Sequence, residues 1–402
     1  AKVITTELQH AGASGANITL DSSKNVTVEN NLTVDGTTTL TGAVTLPAGT
    51  TSDTLSNRNI LFNGAMRIRQ WPDVTNAGNE YGGPDRWFFW KNDGAFNIAQ
   101  VDQVPDGQGF KNSYHIDCTS TSGASGAYYV GILQKLEGKD VMRLKYGSSN
   151  AESLTLSFWI RSTKTGTYIA TLENKDKTKH ISKSYTVSAS NTWEKKTITF
   201  PGDTASGAEF DNDTGESLKL ILWVFAGSSY TSGTLATSWA SVVDANSAVG
   251  QVNAGDNTSN DIYFTGIQLE PGTTATEFEH RSYGDELHRC QRYYQVLASG
   301  NAKYIGLCMH YSSTIGTMAM QWPTRMRAAP TLDFKSGSGI GDLYLMYRDG
   351  TSDTFQDWAG VSAGHDSGGA PYVSAGLSGT AGHCGAFYTN SGQAHVALKA
   401  EL

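Results

Sequence analysis

Two pairs of carboxylates have the residue types and spacing that glycan hydrolysis uses. Glu277 and Glu279 alternate within the run 276–280, and Asp256 and Asp261 lie close together in sequence. Hydrolysis needs two carboxyl groups that face a sugar across a cleft at a fixed separation. Strand alternation puts both glutamates on one face, where solvent exposure explains them better than catalysis. The sequence also lacks GxSxG, P-loop and HExxH motifs, so we expect no enzyme activity.

One oxygen-rich run, residues 211–216 (DNDTGE), resembles the opening of a calcium-binding loop, with a glycine for the sharp turn. The full twelve-residue pattern is not completed, and an ordinary turn rich in Asp and Asn explains the same residues. Asp203, Asp256 and Asp261 are further candidate ligands. We therefore predict no cofactor and keep a structural calcium at Asp211 and Asp213 as an alternative.

Sugar binding needs aromatic faces that stack on pyranose C–H groups, with polar groups nearby for the hydroxyls. The loop 227–240 offers Tyr230 and Trp239 as secondary candidates. A Gly-rich stretch nearer the C-terminus combines aromatic and polar side chains: Tyr344, Tyr347, Trp358, His365, Asp366 and Tyr372. Any single one of these residues is more often a packing residue than a contact residue. As a group, the six are the predicted receptor-binding surface.

The composition is that of a turn-rich, all-β chain: 402 residues with 44 Gly and only 17% charged residues. A net charge of −8 without runs of Lys or Arg argues against nucleic acid and anionic membranes as partners. No secretory signal or membrane-spanning apolar run is present, so we expect synthesis in a cytoplasm and no membrane insertion. The four cysteines are scattered, which favours buried free thiols over a disulfide framework.

The elements that must position these residues begin with a slender stalk. Apolar residues recur in pairs at roughly six-residue intervals between polar and turn residues: Val26, Val28, Leu32, Val34, Leu40, Val44 and Leu46. Alternation of this kind predicts short strands. Strands with so little apolar face cannot bury a core within one chain, so copies of the chain must supply the missing contacts. We predict a stalk in which three chains intertwine.

After the stalk, alternating segments separated by turns predict two further β regions. Strands of a jelly-roll sandwich are expected at 128–133, 154–162, 166–173, 193–200, 218–226 and 261–269. A single helical segment is expected at 282–294, with acidic residues at its start and arginines later. Strands of a distal sandwich are expected at 304–311, 316–322, 330–334, 342–347, 372–377, 385–388 and 395–402, with Gly/Ser loops at 336–339 and 360–369.

Several motifs resemble bacteriophage tail fibres and related receptor-binding tail proteins. The stalk is similar to the triple-stranded β shafts of such fibres. The opening NILFNGAM (59–66) with DRW (85–87) resembles the start of a sugar-binding-module-like sandwich. Three segments resemble the end of that module: DIYFTGIQLEPGT (261–273), TEFEHRSYG (276–284) and CQRYY (290–294). The segment PTRMRAAP (323–330) resembles part of the distal domains of such fibres. The resemblance implies a homotrimeric virion protein that adheres to a host-surface glycan or lipopolysaccharide and docks on another tail or baseplate protein through its N-terminus.

The predicted organisation is a docking leader (1–16), a trimeric stalk and hinge (17–58), a jelly-roll sandwich (59–283), and a short helix with a distal β tip (284–402). Two other functions remain open. One is a tail-borne polysaccharide depolymerase with a cleft between subunits. The other is a structural connector that does not contact the host.

Overall fold

A computed structural model describes residues 57–402 and three short strands that precede them. The chain separates into two compact units, 1–48 and 49–402. In the first unit, β1 (Glu7–Leu8), β2 (Ile18–Leu20) and β3 (Val26–Val28) pair antiparallel in that order. The predicted stalk residues Leu32, Val34, Leu40, Val44 and Leu46 lie outside the described residues, so the trimeric stalk stays a prediction.

The second unit begins with a sandwich of two antiparallel sheets. Its strands are β4 (Glu80–Tyr81), β5 (Phe88–Lys91), β6 (Ala95–Val101), β7 (Ser113–Ser120), β8 (Tyr129–Glu137), β9 (Leu154–Ser162), β10 (Gly166–Asn174), β11 (Lys179–Val187), β12 (Glu194–Phe200), β13 (Glu216–Ala226), β14 (Ala240–Ser241) and β15 (Asp261–Pro271). One sheet has the order β14-β11-β10-β13-β8-β5-β4 and the other the order β12-β9-β15-β7-β6.

Alternating apolar residues explain why the two sheets pack together. Every second residue of β9, from Leu154 to Ile160, is fully buried, because successive strand residues point to opposite faces. The ring of Phe158 in β9 lies 5.1 Å from the ring of Tyr185 in β11, which belongs to the other sheet. The predicted all-β class is confirmed, with 41% strand and 7% helix.

The helices are short. They are α1 (Gly138–Val141), α2 (Ser228–Thr231) and α3 (Tyr283–Gln291), with 3₁₀ turns at Met142–Leu144 and Asp244–Asn246. The side chain of Ser282 caps α3 by accepting a hydrogen bond from the amide of Asp285, and Asp285 and Glu286 favour the positive end of the helix. The helix that the sequence predicts is therefore confirmed. In the part of the chain that the structure describes, no helix is long and apolar enough to cross a membrane.

The remaining residues build a second pair of sheets. Their strands are β16 (Tyr294–Ser299), β17 (Tyr304–His310), β18 (Gly316–Thr317), β19 (Met320–Gln321), β20 (Thr331–Phe334), β21 (Tyr344–Arg348), β22 (Thr351–Phe355), β23 (Gly360–His365), β24 (Gly368–Val373), β25 (Cys384–Thr389) and β26 (His395–Lys399). A small sheet runs β16-β26-β20, and an eight-stranded sheet runs β19-β24-β18-β17-β25-β21-β22, with β23 paired to β24. We call residues 294–402 the distal region.

One predicted loop of the distal region is wrong. The Gly-rich stretch 360–369 forms most of the β23–β24 hairpin, in which Val361 pairs with Pro371 and Ser362 with Ala370. Glycine lowers intrinsic strand propensity, so composition favours a loop here. Pairing along β24, which also binds β18 and β19, stabilises the strand regardless.

The sandwich and the distal region share buried contacts. Arg86 lies between β4 and β5 of the sandwich. Its side chain forms a buried ion pair with that of Glu401, near the C-terminus. Arg292 binds Glu137 of β8 through two hydrogen bonds of 2.7 and 2.6 Å. Tyr293 packs in the sandwich core and donates a hydrogen bond to the same carboxylate. These contacts hold the distal region against the sandwich, and we call the boundary between the two regions the joint.

Candidate functional site

A crevice of about 910 Å³ lies along the joint between the sandwich and the distal region. The sandwich contributes residues from 67–74, from β4 and from β6 to its walls. The distal region contributes residues of β20 and β26 and the turn that precedes β26. The crevice therefore needs both regions, since β26, the C-terminal strand, packs next to the sandwich and supplies part of one wall.

Burial alternates along the sandwich wall. Met66 and Ile68 are buried in the core, whereas Arg67 and Arg69, which follow them in turn, are exposed and line the crevice. Arg69 forms a surface ion pair of 3.0 Å with Asp73. The guanidinium of Arg67 lies 5.6 Å from the ring centre of Tyr283, a residue that is 52% exposed. The rim is therefore cationic, and an accessible aromatic ring lies beside it.

A buried carboxylate holds the next turn of this wall in place. Asp85 accepts hydrogen bonds of 2.6 Å from both the backbone and the side-chain amide of Gln70. Gln70 also donates to the backbone carbonyl of Tyr294, at 2.8 Å. Burial raises the pKa of Asp85 to about 6, against the opposing effect of the Gln70 amides. Gln70 therefore joins the sandwich wall to the distal wall.

A stack of nearly fully buried aromatic rings supports the floor of the crevice. Trp71 stacks on Tyr294 with ring centres 3.7 Å apart and on Tyr81 at 5.7 Å, and Lys399 lies over the indole at 5.2 Å. The indole N–H of Trp71 has no hydrogen-bond acceptor among the described residues. A buried donor of this kind is stabilised when a ligand or water oxygen reaches it.

The distal wall carries a hydrogen-bonded group of three side chains. The hydroxyl of Tyr294 donates to Asp333 at 2.7 Å and lies 2.8 Å from Nε2 of His395. Burial lowers the pKa of His395, despite the opposing effect of Asp333, so the imidazole is neutral near pH 7. The group presents fixed polar atoms to the crevice, an arrangement that suits recognition of hydroxyl groups.

Two of the six predicted receptor-binding residues are not on the surface. Tyr344 is 0% exposed and Trp358 is 4% exposed, and both belong to the core of the distal region. The hydroxyl of Tyr344 donates to the carbonyl of His395 at 2.6 Å and lies 2.9 Å from that of Lys335. Their prediction as contact residues is corrected, because strand pairing and ring packing against Phe355 and Phe387 bury them.

The other four occupy separate places. His365 and Asp366 lie at the β23–β24 hairpin, where Asp366 pairs with Arg325 at 2.7 Å. Tyr347 on β21 is 52% exposed, and the half-buried Tyr372 on β24 lines a different hollow, of about 420 Å³. None of these four residues lines the crevice.

The secondary candidates in the sandwich pack against other rings. Tyr230 lies edge-on to Tyr129 at 5.7 Å and 5.4 Å from Trp223. The indole of Trp239 donates to the carbonyl of Pro201 at 2.7 Å and packs edge-on against Tyr146. Both are half-buried, and these contacts give them a structural role.

The carboxylates singled out from the sequence have local partners. Glu279 accepts hydrogen bonds from the amides of Arg58 and Asn59, and Asp261 lies 2.7 Å from His115. Asp213 closes a turn by accepting from the amide of Gly215 at 2.8 Å, and Asp211 pairs with Lys177 at 3.0 Å.

The loop that carries Asp211 and Asp213 is a turn closed by the hydrogen bond between the carboxylate of Asp213 and the amide of Gly215. Across the described residues, no group of three or more His, Cys, Asp or Glu side chains is placed to hold a metal ion.

Sequence reasoning missed the crevice, although part of it carried a signal. Asp85 belongs to the DRW part of the opening motif, and Gln70 and Trp71 lie between the two parts of that motif, which indicated a fold and not a site. Residues 333 and 395 approach Trp71 only after the chain has folded. No spacing rule connects positions so far apart.

Comparisons with known proteins leave the family open. A scan against protein-family models finds no match, and a search of curated proteins finds none. Among solved structures, the chain is similar to the enzymatically active domain of tailspike protein 4 of bacteriophage CBA120, with 12% identity and a TM-score of 0.28 over 49% of this chain. This chain spans only 21% of that one.

Carbohydrate-binding modules are matched over almost their whole length. A family 22 xylan-binding domain of Paenibacillus barcinonensis is 14% identical with a TM-score of 0.27, over 50% of this chain and 98% of that one. A family 11 module of a Clostridium thermocellum cellulosomal cellulase is 13% identical with a TM-score of 0.26, over 51% and 98%. Similarities this weak support no inference about ligand or activity.

Proposed function

We propose that this chain is a glycan-binding adhesin and that the crevice between the sandwich and the distal region binds the glycan. The observation that carries the proposal is the composition of the crevice. It combines the exposed ring of Tyr283 at the rim with fixed polar side chains from both walls, above a buried stack of aromatic rings. Sugars require this combination, because their C–H faces stack on rings while their hydroxyls need hydrogen-bond partners.

The exposed guanidinium groups at the rim favour an acidic glycan. Arg67, Arg69 and Lys335 line the crevice, against the carboxylates Glu80 and Asp333, and Asp73 pairs with Arg69 beside it. The carboxylate of Asp333 already accepts a hydrogen bond from Tyr294, and that of Glu80 accepts one from the amide of Gly78. In a chain with a net charge of −8, an arginine-rich rim is a local exception. Arginine binds carboxylate and phosphate groups, which lipopolysaccharide carries.

At the level of the whole particle, the proposed protein is a homotrimeric bacteriophage tail fibre without enzyme activity. Support comes from the sequence motifs that resemble such fibres and from the all-β architecture. The N-terminus attaches to a tail or baseplate protein, and the distal part contacts the host surface glycan. Three weak sites per fibre and several fibres per virion raise the avidity well above that of one site.

The test is binding of full-length protein to lipopolysaccharide from host cells, measured by surface plasmon resonance. Replacing Arg69 or Tyr283 by Ala removes an exposed rim contact, and we expect about a tenfold loss of affinity for each, equivalent to about 1.4 kcal/mol. Tyr128→Ala is the matched control, since Tyr128 is 40% exposed on the sandwich and does not line the crevice. Unchanged affinity in both rim variants, or an equal loss in the control, would contradict the proposal.

The same samples separate the two alternative functions. A depolymerase would release shortened oligosaccharides from the host envelope during incubation, which gel electrophoresis of the polysaccharide detects. A structural connector would neither bind the envelope nor compete with intact phage.

A further inference from the structure

The outer face of the eight-stranded sheet carries an exposed apolar surface, which we call the outer face. Ten large hydrophobic residues are exposed in the described chain, and five of them lie here: Tyr304, Leu307, Met309, Tyr311 and Tyr347. Their exposed fractions run from 46% for Met309 to 74% for Leu307. Single exposed hydrophobic residues are ordinary, but a contiguous group marks an interaction surface.

Strand register shows that the surface is continuous. Across β17, β25 and β21, Leu307 pairs with Ala386 and Ala386 with Tyr347. The next row joins Tyr304, Tyr388 and Leu345. On the other side, Met309 pairs with both Cys384 and Thr317, and Thr317 pairs with Tyr372. Directly paired residues point to the same side of a sheet, so these residues form one face.

None of the residues in these three rows carries a charge. Charged side chains stand at the border, where His383 lies 2.8 Å from Asp349 in the turn that follows β21. A charge-free centre within a polar rim is the composition of a protein–protein contact.

The shape of the outer face is not flat. Leu307 and Met309 form an exposed row between two hollows, one of about 370 Å³ beside Tyr347 and Tyr388 and one of about 420 Å³ beside Tyr311 and Tyr372. A ridge flanked by hollows on the same face is self-complementary, since the ridge of one copy fits a hollow of another.

The area is sufficient for a stable contact. Five large side chains of about 200 Å² each, on average more than half exposed, present about 600 Å². A standard interface buries about 800 Å² on each partner. The half-buried Leu345, Tyr372 and Tyr388 and the backbone between them supply the difference.

We propose that the outer face packs against the same face of other copies of this chain. The contact is separate from the predicted stalk and does not depend on whether the crevice binds a glycan. It places the distal regions of neighbouring chains side by side, with their crevices outside the contact.

Cys384 provides a direct test in the full-length protein. It is the exposed cysteine on the outer face, whereas Cys118, Cys290 and Cys308 are buried. In the assembled protein we expect a maleimide reagent to label Cys384 at least about tenfold more slowly than in the double variant Leu307→Lys/Tyr311→Lys, a factor that corresponds to about 1.4 kcal/mol of contact free energy. Peptide mapping by mass spectrometry assigns the label.

Two controls keep the result interpretable. Ile340→Lys changes another exposed residue of the distal region, 48% exposed, that lies off the outer face, and Cys384 should stay protected in it. Cys308 lies next to Met309 on β17 with its side chain buried, so its lack of labelling shows that a variant is folded. If the double variant fails this check, Leu307→Ser replaces it.

Sedimentation completes the test. Wild-type protein is expected at a multiple of 43.1 kDa. The proposal is overturned if Cys384 reacts as fast in the wild type as in the folded variant, since the face is then open to another partner. A wild-type mass of one chain, or protection that requires added host glycan, overturns it equally.

Discussion

The crevice and the outer face are both aromatic surfaces, but they differ in their polar groups. Around Trp71 and Tyr283, the crevice has arginines, amides and a Tyr–Asp–His group. Around Leu307 and Tyr347, the outer face has only uncharged side chains across three strand rows. Aromatic residues make up 10% of the chain, and this comparison shows that their number alone does not separate sugar binding from protein contact. The neighbouring polar groups make the distinction.

The two surfaces also differ in how they depend on the fold. The outer face is built within one sheet, from strands that pair directly. The crevice needs residues from the two ends of the unit, which the joint at Arg86 and Glu401 brings together. A substitution that weakens the joint should therefore reduce ligand binding in the crevice and leave the contact made by the outer face unchanged.

The largest effect is expected from Glu401→Gln. The side chains of Arg86 and Glu401 are 0% and 3% exposed, so the substitution leaves a buried guanidinium without its counter-charge. Removing one partner of a buried ion pair costs about 3–5 kcal/mol. We expect a loss of this size in the free energy of unfolding, measured by urea denaturation, together with loss of glycan binding.

Glu152→Gln is the matched control for that variant. Its ion pair with Lys145, at 2.9 Å, is exposed at both side chains and should contribute about 0–1 kcal/mol. Equal losses in the two variants would show that the joint does not hold the crevice together. If the joint variant remains folded, Cys384 should keep its protection.

The sequence predicts the elements of both surfaces better than the surfaces themselves. Alternation in 154–162 and the capping residues of α3 are local, so the strand and the helix were predicted from neighbouring residues. The burial of Tyr344 and Trp358 depends on β25 and β22, which no local pattern connects to them. The aromatic, Gly-rich stretch therefore suggested a loop, whereas long-range strand pairing made it part of a core.

The crevice shows the same limit. Gln70 and Trp71 lie between the two parts of the opening motif and their partner Tyr294 ends the CQRYY motif, but no local pattern predicts that these residues and His395 meet. The outer face is the intermediate case. Alternation along β17 marks Leu307, Met309 and Tyr311 as one side of a strand, although only the structure shows that this side is exposed.

A smaller effect is expected from pH, through Asp85. Its pKa is raised from 3.8 to about 6 by burial, so between these values the folded protein binds more protons than the unfolded chain. Stability therefore falls as the pH rises from about 4 to about 6 and levels off above that, by about 3 kcal/mol in total.

Asp85→Asn isolates the contribution of this carboxyl. The variant should be less stable than the wild type at pH 4, because an amide offers one acceptor oxygen where the carboxyl group offers two to the Gln70 donors, and its stability should fall less between pH 4 and pH 6 than that of the wild type. Chemical denaturation at a series of pH values measures the difference. Parallel profiles for the two proteins would mean that Asp85 does not titrate in this range, and its role in holding the crevice wall would then need another explanation.

The smallest effect is expected at the hairpin that the sequence favoured as the receptor site. His365 is exposed, Asp366 forms an ion pair with the largely exposed Arg325, and neither side chain lines the crevice or belongs to the rows of the outer face. In the double variant His365→Ala/Asp366→Ala we expect glycan affinity within about twofold of wild type, since a factor of ten corresponds to about 1.4 kcal/mol and no contact of that size is removed. Labelling of Cys384 should also be unchanged. A tenfold loss of glycan binding here, with Arg69→Ala still binding normally, would move the binding site from the crevice to the hairpin. The crevice would then be a consequence of how the two regions pack together.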